Sequence, residues 1–534
     1  VKFYRLRAFN FEAYIVPLLT DFTRYADAHR HFSKDALWAL FDGDRARLNI
    51  GHECVDRHDR DAIAVRIAHA DGTDEAFTFG QLSDASNRFA NYLRRCGIAP
   101  GERVAIMLEP SLASYTALFG AMKAGCVAVP LFTLFGPDGL RLRVDDCNPK
   151  LIMTNAELAP MAAGIPGLET VIADAAFVTA LESESASFEP ATSADDMAMY
   201  QYTSGTTREL PEAVKHRHRA VVTVMIAALY GTGIRPGDHF LCPASPAWGH
   251  GLWHGTVAPL ALGVPIASYA GKFDPDRLMR AIQDYGITNI SAAATHYRMM
   301  KNSGAAAKYK FAVEKLSFTG EPIDSDTAAW TEKTFGTSVC SIYGTTEIGV
   351  ILTDYPGATD HEVKPGSLGR PVPGVELAIH DSEGNPCSVG ATGEIVMRRR
   401  DGWFPTKDLG RVDEDGYFYH GGRADDVIIS AGYTMSAVEI EDVLLKHRDV
   451  DEAAVIGVSD TVRGQVVKAF IVSEREASDS FSKELQEFTA SRLSRHEYPR
   501  RVDFVEKLPK TPAGKVNRKI LRDAESALNQ KDAS

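Results

Sequence analysis

The chain has 534 residues, beyond the size at which a single hydrophobic core stops growing (about 250–300 residues), so at least two domains are expected. Apolar residues make up 45% and charged residues 24%, the balance of a globular protein rather than a disordered or fibrous one. A net charge of −13 excludes a general nucleic-acid binder, which needs a basic surface to displace counterions, but leaves room for local basic pockets.

Seven cysteines are scattered (Cys54, Cys96, Cys126, Cys147, Cys242, Cys340, Cys387) without a CxxC pair. This usage predicts a reduced, cytoplasmic protein with buried thiols, not a disulfide scaffold. The opening Val1-Lys2-Phe3 carries no apolar core with a cleavage site, so no signal peptide is expected. His239 to Gly271 contains no Asp, Glu, Lys or Arg and is long enough to span a bilayer. Its Pro243, Pro246, Pro259 and Pro265 would leave backbone groups unpaired in lipid, so it reads as core or pocket lining and no integral membrane span is expected.

In chain order, Thr78–Cys96 reads as an amphipathic helix, Arg103–Leu108 as a strand, Leu112–Ala124 as a helix and Cys126–Leu131 as a strand. This alternation predicts parallel-sheet α/β architecture. Met197–Tyr200 is a further strand, and Gly402–Tyr419 is short, aromatic and turn-rich, as in a hairpin. Glycines and charges at Gly421 to Asp426 mark a boundary. Beyond it Val427–Ser430, Glu452–Val458 and Val466–Ser473 read as strands, and Ala437–Lys446 and Ser482–Leu493 as helices. The expected fold is thus α/β, with a large N-terminal domain (1–423) holding parallel sheets and a small, mobile α+β C-terminal domain (424–534).

The segment Thr203-Ser204-Gly205-Thr206-Thr207 follows the Met197–Tyr200 strand. Its hydroxyls can donate to phosphate oxygens, and its glycine lets backbone N–H groups approach closely. No Gly-Lys-Ser/Thr closes it, so it is not a Walker loop. Tyr343-Gly344-Thr345-Thr346-Glu347 places a carboxylate beside hydroxyls, which suits Mg²⁺. Asp408, in Thr406-Lys407-Asp408, can accept both hydroxyls of a ribose, and Arg423 can pair with phosphate or ribose oxygens. Lys515 follows a Pro/Gly turn and projects as a mobile point charge. Taken singly, the hydroxyl loop reads as readily as a solvated turn, and the other segments read more readily as solvated turns or surface charges.

In this order and spacing, the five segments resemble the adenylate-forming (AMP-binding) superfamily, from about Asn49 to Asp523. Ile50-Gly51-His52-Glu53-Cys54 and Arg463 to Phe470 are similar to medium-chain acyl-CoA synthetases. The resemblance implies carboxylate activation by ATP, giving acyl-AMP and pyrophosphate, then acyl transfer to coenzyme A. It implies that Thr203 to Thr207 hold the phosphates, that Gly320-Glu321-Pro322 lies against adenine and that Tyr343 flanks the base. Thr346 would bind the α-phosphate, Glu347 would hold Mg²⁺, and Asp408 would take the ribose with Arg423 beside it. Lys515 would bridge the carboxylate and the α-phosphate. The C-terminal domain would swing about Asp425, bringing the Gly432 face to the pantetheine arm of coenzyme A.

Three departures stand out. The loop continues Arg208-Glu209-Leu210-Pro211-Glu212 where relatives have Gly-x-Pro-Lys, Lys407 replaces a glycine, and Thr434 replaces an arginine. By resemblance, Trp248 and His250 line the acyl pocket, and Gly344 stands where acetate-specific relatives carry tryptophan. A medium-chain, branched or aromatic acid is therefore expected over acetate. The alternatives are an adenylating enzyme with a carrier-protein acceptor, disfavoured by the short stretch after Lys515, and a non-catalytic nucleotide-binding relative. A homo-oligomer is left open.

Overall fold

Short, wholly apolar runs are stable only as strands covered on both faces, the setting of a parallel sheet. Val127–Pro130 and Leu151–Thr154 are buried at every position. The computed structural model describes residues 17–202, 213–320, 322–345, 348–423, 427–430, 433–460, 464–493, 498–510 and 516–532. The chain divides into two compact units, Val1–Gly374 and Val375–Ser534.

The first unit holds two sheets. One has six strands in the order Glu169–Ile172, Leu151–Thr154, Arg103–Met107, Val127–Pro130, Met197–Gln201 and Val214–Arg217. All its neighbours are parallel except the last pair. In the other, a parallel core runs through Val339–Thr345, Lys315–Thr319, Asn289–Ala293, Phe240–Leu241, Ile266–Ala270 and Ile63–His69. Antiparallel strands flank this core, Gly349–Thr353 and Ser367–Pro371 on one side and Asp74–Thr78 on the other.

Local signals account for the helices that cover these sheets. Helix Phe79–Arg95 begins at a reciprocal cap: the Gln81 N–H donates to Thr78 Oγ1 at 3.2 Å, and the Thr78 N–H donates to Gln81 Oε1 at 2.9 Å. Arg94 and Arg95 in its last turn complement the helix dipole. Helix Leu112–Lys123 packs so closely on it that a Cβ at Gly120 would lie 2.7 Å from the Ser86 carbonyl oxygen. The uncharged stretch His239–Gly271 supplies two buried strands and a π-helical turn, His250–Val257, as expected of core rather than lipid-facing chain. Among the described residues, no helix is long and apolar enough to cross a membrane.

The second unit holds an antiparallel sheet of Leu377–His380, Gly393–Arg399, Gly402–Val412 and Phe418–Arg423. It also holds a sheet ordered Tyr433–Ser436, Val427–Ser430, Gly464–Val472 and Glu452–Asp460, with Arg501–Phe504 parallel to Gly464–Val472. The compact units thus divide at Gly374, ahead of the division at 423 expected from sequence. Antiparallel neighbours make their contacts locally, and helix Ala437–Leu444 packs on Phe418–Arg423, so the hairpin strands group with the chain that follows them.

Candidate active site

In the first unit, the uncharged stretch builds a ladder of rings. Trp248 stacks on His250 with centroids 5.6 Å apart at 24°, and His250 stacks on His254 at 5.4 Å and 9°. Gly320, at the end of a parallel strand, has φ +93°, and a Cβ there would lie 3.3 Å from Trp248 Cη2. Glycine is the residue that permits both the backbone angle and the approach. Trp248, His250 and Gly320, given separate roles by the sequence, are therefore brought together. Pro322 is exposed beside them in sequence, and Glu321 lies outside the described residues.

Burial holds the His250 pKa down to about 3, so its imidazole is neutral. Its Nε2 lies 3.1 Å from Ser291 Oγ, which accepts from Ser317 Oγ at 2.9 Å. Trp253 Nε1 donates to Gln201 Oε1 at 2.9 Å, bracing the ring-bearing turn against the strand that leads to the hydroxyl loop. Gln201, Ser291 and Ser317 were not expected from the sequence. The available signal was a polar residue inside an otherwise apolar, buried strand.

Thr203, Ser204, Gly205, Thr206 and Thr207 lie outside the described residues, as do Arg208 and Glu212, but the base of their loop is well defined. Gln201 and Val214 are antiparallel partners. Asp146, on helix Pro137–Cys147, accepts from the Tyr202 hydroxyl at 2.7 Å and from the Ala213 N–H at 3.2 Å. One carboxylate thus ties both ends of the loop. Burial, together with the Asp146 carboxylate, pushes the Tyr202 phenol well above its usual range, so it stays a donor.

Tyr343 is half-buried on strand Val339–Thr345, opposite Leu352. Thr346 and Glu347 lie outside the described residues. Gly344, expected to mark a deeper acyl pocket, has a reason of its own. A Cβ at this position would fall 2.0 Å from the Gly349 carbonyl oxygen and 2.8 Å from Val350 Cα, meeting the neighbouring strand rather than Trp248 or His250. The register of that pair shifts between Tyr343 and Gly344. In this backbone glycine at 344 thus has a steric reason that does not involve Trp248 or His250.

In the second unit, Asp408 is 4% exposed on strand Gly402–Val412 and pairs in register with Arg423. Thr406 Oγ1 donates to the Ile395 carbonyl at 2.7 Å and accepts the Asp408 N–H at 3.2 Å. His420 Nε2 lies 3.6 Å from Asp408 Oδ1. Lys407 has φ +63° while its N–H donates to Glu394 Oε1 at 2.8 Å. This left-handed angle explains the glycine of relatives, and a side chain there costs about 1–2 kcal/mol. Asp425, Gly432 and Lys515 lie outside the described residues. Among the described residues, one group has metal-ligand spacing: His447, Asp449 and Glu484. Arg475 Nη1 already sits 3.0 Å from Asp449 and 2.9 Å from Glu484, so the cation there is a guanidinium.

Residues 52–403 match the family profile "AMP-binding enzyme", and residues 439–515 match "AMP-binding enzyme C-terminal domain". The acetyl-coenzyme A synthetase of Bacillus subtilis (strain 168) is 31% identical over 560 residues, covering 96% of this chain and 96% of that protein. The crystal structure of a Brucella canis acyl-CoA synthetase is similar with a TM-score of 0.74 at 31% identity, covering 95% of this chain and 100% of that one. The ATP-bound MatB of Rhodopseudomonas palustris is similar with a TM-score of 0.76 at 25% identity, covering 89% of this chain and 98% of that one. The ordered motifs, the two-sheet α/β unit and these matches agree: the chain belongs to the AMP-binding enzyme family, as an AMP-forming acyl-CoA synthetase that joins a carboxylic acid to coenzyme A at the expense of ATP.

Proposed function

We propose that the enzyme works in two half-reactions on a medium-chain, branched or aromatic acid. In the first, a carboxylate oxygen attacks the α-phosphorus of ATP and pyrophosphate leaves. In the second, the sulfur of coenzyme A attacks the acyl carbon, AMP leaves, and the thiol proton is released. Asp408 carries this reading. It is a buried carboxylate whose backbone N–H is held by the Thr406 hydroxyl, and a carboxylate is the group that can accept two ribose hydroxyls. Arg423 serves beside it. Thr203, Ser204, Gly205, Thr206 and Thr207 hold the phosphates, Gly320, Glu321 and Pro322 face adenine, and Tyr343 flanks the base. Thr346 binds the α-phosphate, Lys515 neutralises charge at the reacting oxygens, and Gly432 lies along the path of coenzyme A. Glu347 is the residue to hold Mg²⁺, which would supply charge neutralisation at the phosphates. Asp425 is the hinge between the functional divisions 1–423 and 424–534.

The acid class rests on the ring ladder. Trp248 and the neutral imidazoles of His250 and His254 present aromatic surface without charge, which favours an apolar or aromatic acyl group. The measurement is thioester formation with free coenzyme A across acetate, butyrate, octanoate, isobutyrate and benzoate. A kcat/KM highest for octanoate, isobutyrate or benzoate is expected. A maximum at acetate would overturn the acid class, and acyl-AMP accumulating with no thioester would point to another acceptor.

A further inference from the structure

We propose that His250, oriented by Ser291 and Ser317, offers a hydrogen-bond donor at the edge of the ring ladder, and that this donor selects acids carrying one uncharged oxygen, a hydroxyl or a carbonyl, on an otherwise apolar acyl group. The inference rests on the reading of the ladder as the acyl site. It starts from an unpartnered atom. His250 is 5% exposed, yet its Nδ1 is buried with no hydrogen-bond partner among the described residues. A buried polar atom without a partner is uncommon, and a ligand that supplies the partner relieves it. Nδ1 of the next ring, His254, is also buried and unpartnered, so the feature is repeated along the ladder.

The hydroxyl chain behind the ring decides which nitrogen holds the proton. Ser291 and Ser317 are partners in register on neighbouring parallel strands, Asn289–Ala293 and Lys315–Thr319. Ser317 Oγ donates to Ser291 Oγ at 2.9 Å, which leaves the single Ser291 hydrogen for His250 Nε2, 3.1 Å away. Nε2 therefore accepts, and the neutral imidazole carries its proton on Nδ1. The opposite assignment would leave the hydrogen of the fully buried Ser291 without an acceptor among the described residues. Nδ1 and Nε2 sit on different edges of the ring, so with Nε2 on the sheet the Nδ1–H points away from it. Trp248 and His254 take the ring faces. Burial dominates the His250 ring, and the groups acting on it are the His254 and His296 imidazoles and Ser291; among the described residues no carboxylate, lysine or arginine does. A carboxylate seated at Nδ1 would be a buried charge without a counter-charge. In the proposed function the reacting end lies toward Gly320. Trp248 is the ring against Gly320 and His250 lies one ring beyond, so the donor meets the acyl group and not the reacting carboxylate. An uncharged oxygen fits the donor, and the ring faces take the rest of the acyl group.

The test reads thioester formation with free coenzyme A for matched acids: octanoate with its positional hydroxy and oxo derivatives, and benzoate with the hydroxybenzoates. In the parent enzyme at least one oxygen-bearing acid should exceed its plain counterpart in kcat/KM by on the order of 10–100-fold, the scale set by leaving a buried donor unpaired. His250→Phe keeps a stacking ring and removes the donor, so the ratio should fall to within about twofold of one. Ser291→Ala removes the group that fixes the tautomer, so the ratio should fall part of the way; this variant carries the test if His250→Phe does not fold. A change that is merely structural lowers both members of a pair alike and leaves the ratio where it was. Ratios near one throughout in the parent, or a preference that survives both variants, would overturn the inference. So would an equal loss for both acids in His250→Phe, which would mean that Nδ1 meets a water or a group common to all acids. A maximum at acetate, or acyl-AMP without thioester, sinks the underlying reading instead. A maximum at octanoate or benzoate with the matched acids equal sinks this inference alone.

Discussion

Two loops marked for chemistry by the sequence, 203–212 in the first unit and 511–515 in the second, are closed at the base by different means. Asp146 closes the first, accepting from a phenol and a backbone amide at its two ends. The second is closed by its own backbone, through the Lys510–Val516 bridge and the Asn517 N–H donating to the Pro509 carbonyl at 2.8 Å. The difference lies in what remains after damage. Removing the Asp146 charge weakens two hydrogen bonds and leaves no orphan ion. The backbone closure of the second loop has no single side-chain charge to remove. The strand pair Val339–Thr345 and Gly349–Thr353 depends instead on glycine: Gly344 and Gly349 meet backbone to backbone because no Cβ intervenes.

That glycine contact offers the largest expected effect. In Gly344→Ala, a Cβ would sit 2.0 Å from the Gly349 oxygen, so the strand pair must shift. Overpacking of this kind costs about 1–3 kcal/mol. A lowered Tm by calorimetry is expected, with kcat/KM reduced alike for small and large acids. Selective loss of large acids would restore Gly344 as a determinant of pocket depth.

Asp146→Asn should act next most strongly. Hydrogen bonds to a charged acceptor contribute about 1.5–3 kcal/mol, so exchange should fall by about ten- to a hundredfold, with KM for ATP rising. Tyr202→Phe removes a single donor and should cost less. If Tyr202→Phe equals or exceeds Asp146→Asn, the carboxylate is not what gathers the loop.

The smallest effect is a pH dependence confined to the first unit. Burial lowers the pKa of His218 to about 4 and of His250 to about 3, from 6.5. Below pH 6.5 the unfolded chain takes up protons that the fold refuses, so stability falls as pH drops from 6.5 towards 4. His52, raised by its bond to Asp56, works in the opposite direction and reduces the slope. Melting of the first unit followed from pH 7 to 4.5 should show a falling Tm. A flat profile would mean that these imidazoles are not held neutral.

The sequence made the local elements legible because their causes are local. Thr78 and Gln81 cap a helix three residues apart, and Val127–Pro130 is apolar throughout, so each declares itself in a short window. The Gly402–Tyr419 hairpin and the Val427–Ser430 strand were legible for the same reason. Asp146 gave no such sign: it lies 56 positions from Tyr202 and 67 from Ala213 and reads as an ordinary helix-surface acid. Gln201 and Trp253 are 52 apart. Lys407 shows in the sequence only as a replaced glycine, and its positive φ is invisible in composition.

The sequence by itself pointed to the family and the reaction, because its motifs resemble those of AMP-binding enzymes in both order and spacing. It also determined the alternation that builds a parallel α/β unit. Only the tertiary structure decided which distant carboxylate gathers the first loop, why Gly344 must be glycine, and where the compact units divide. These depend on which backbones approach one another and which charges lose water on folding. Such quantities belong to pairs of residues far apart in the chain, and no single window of sequence contains both members of a pair.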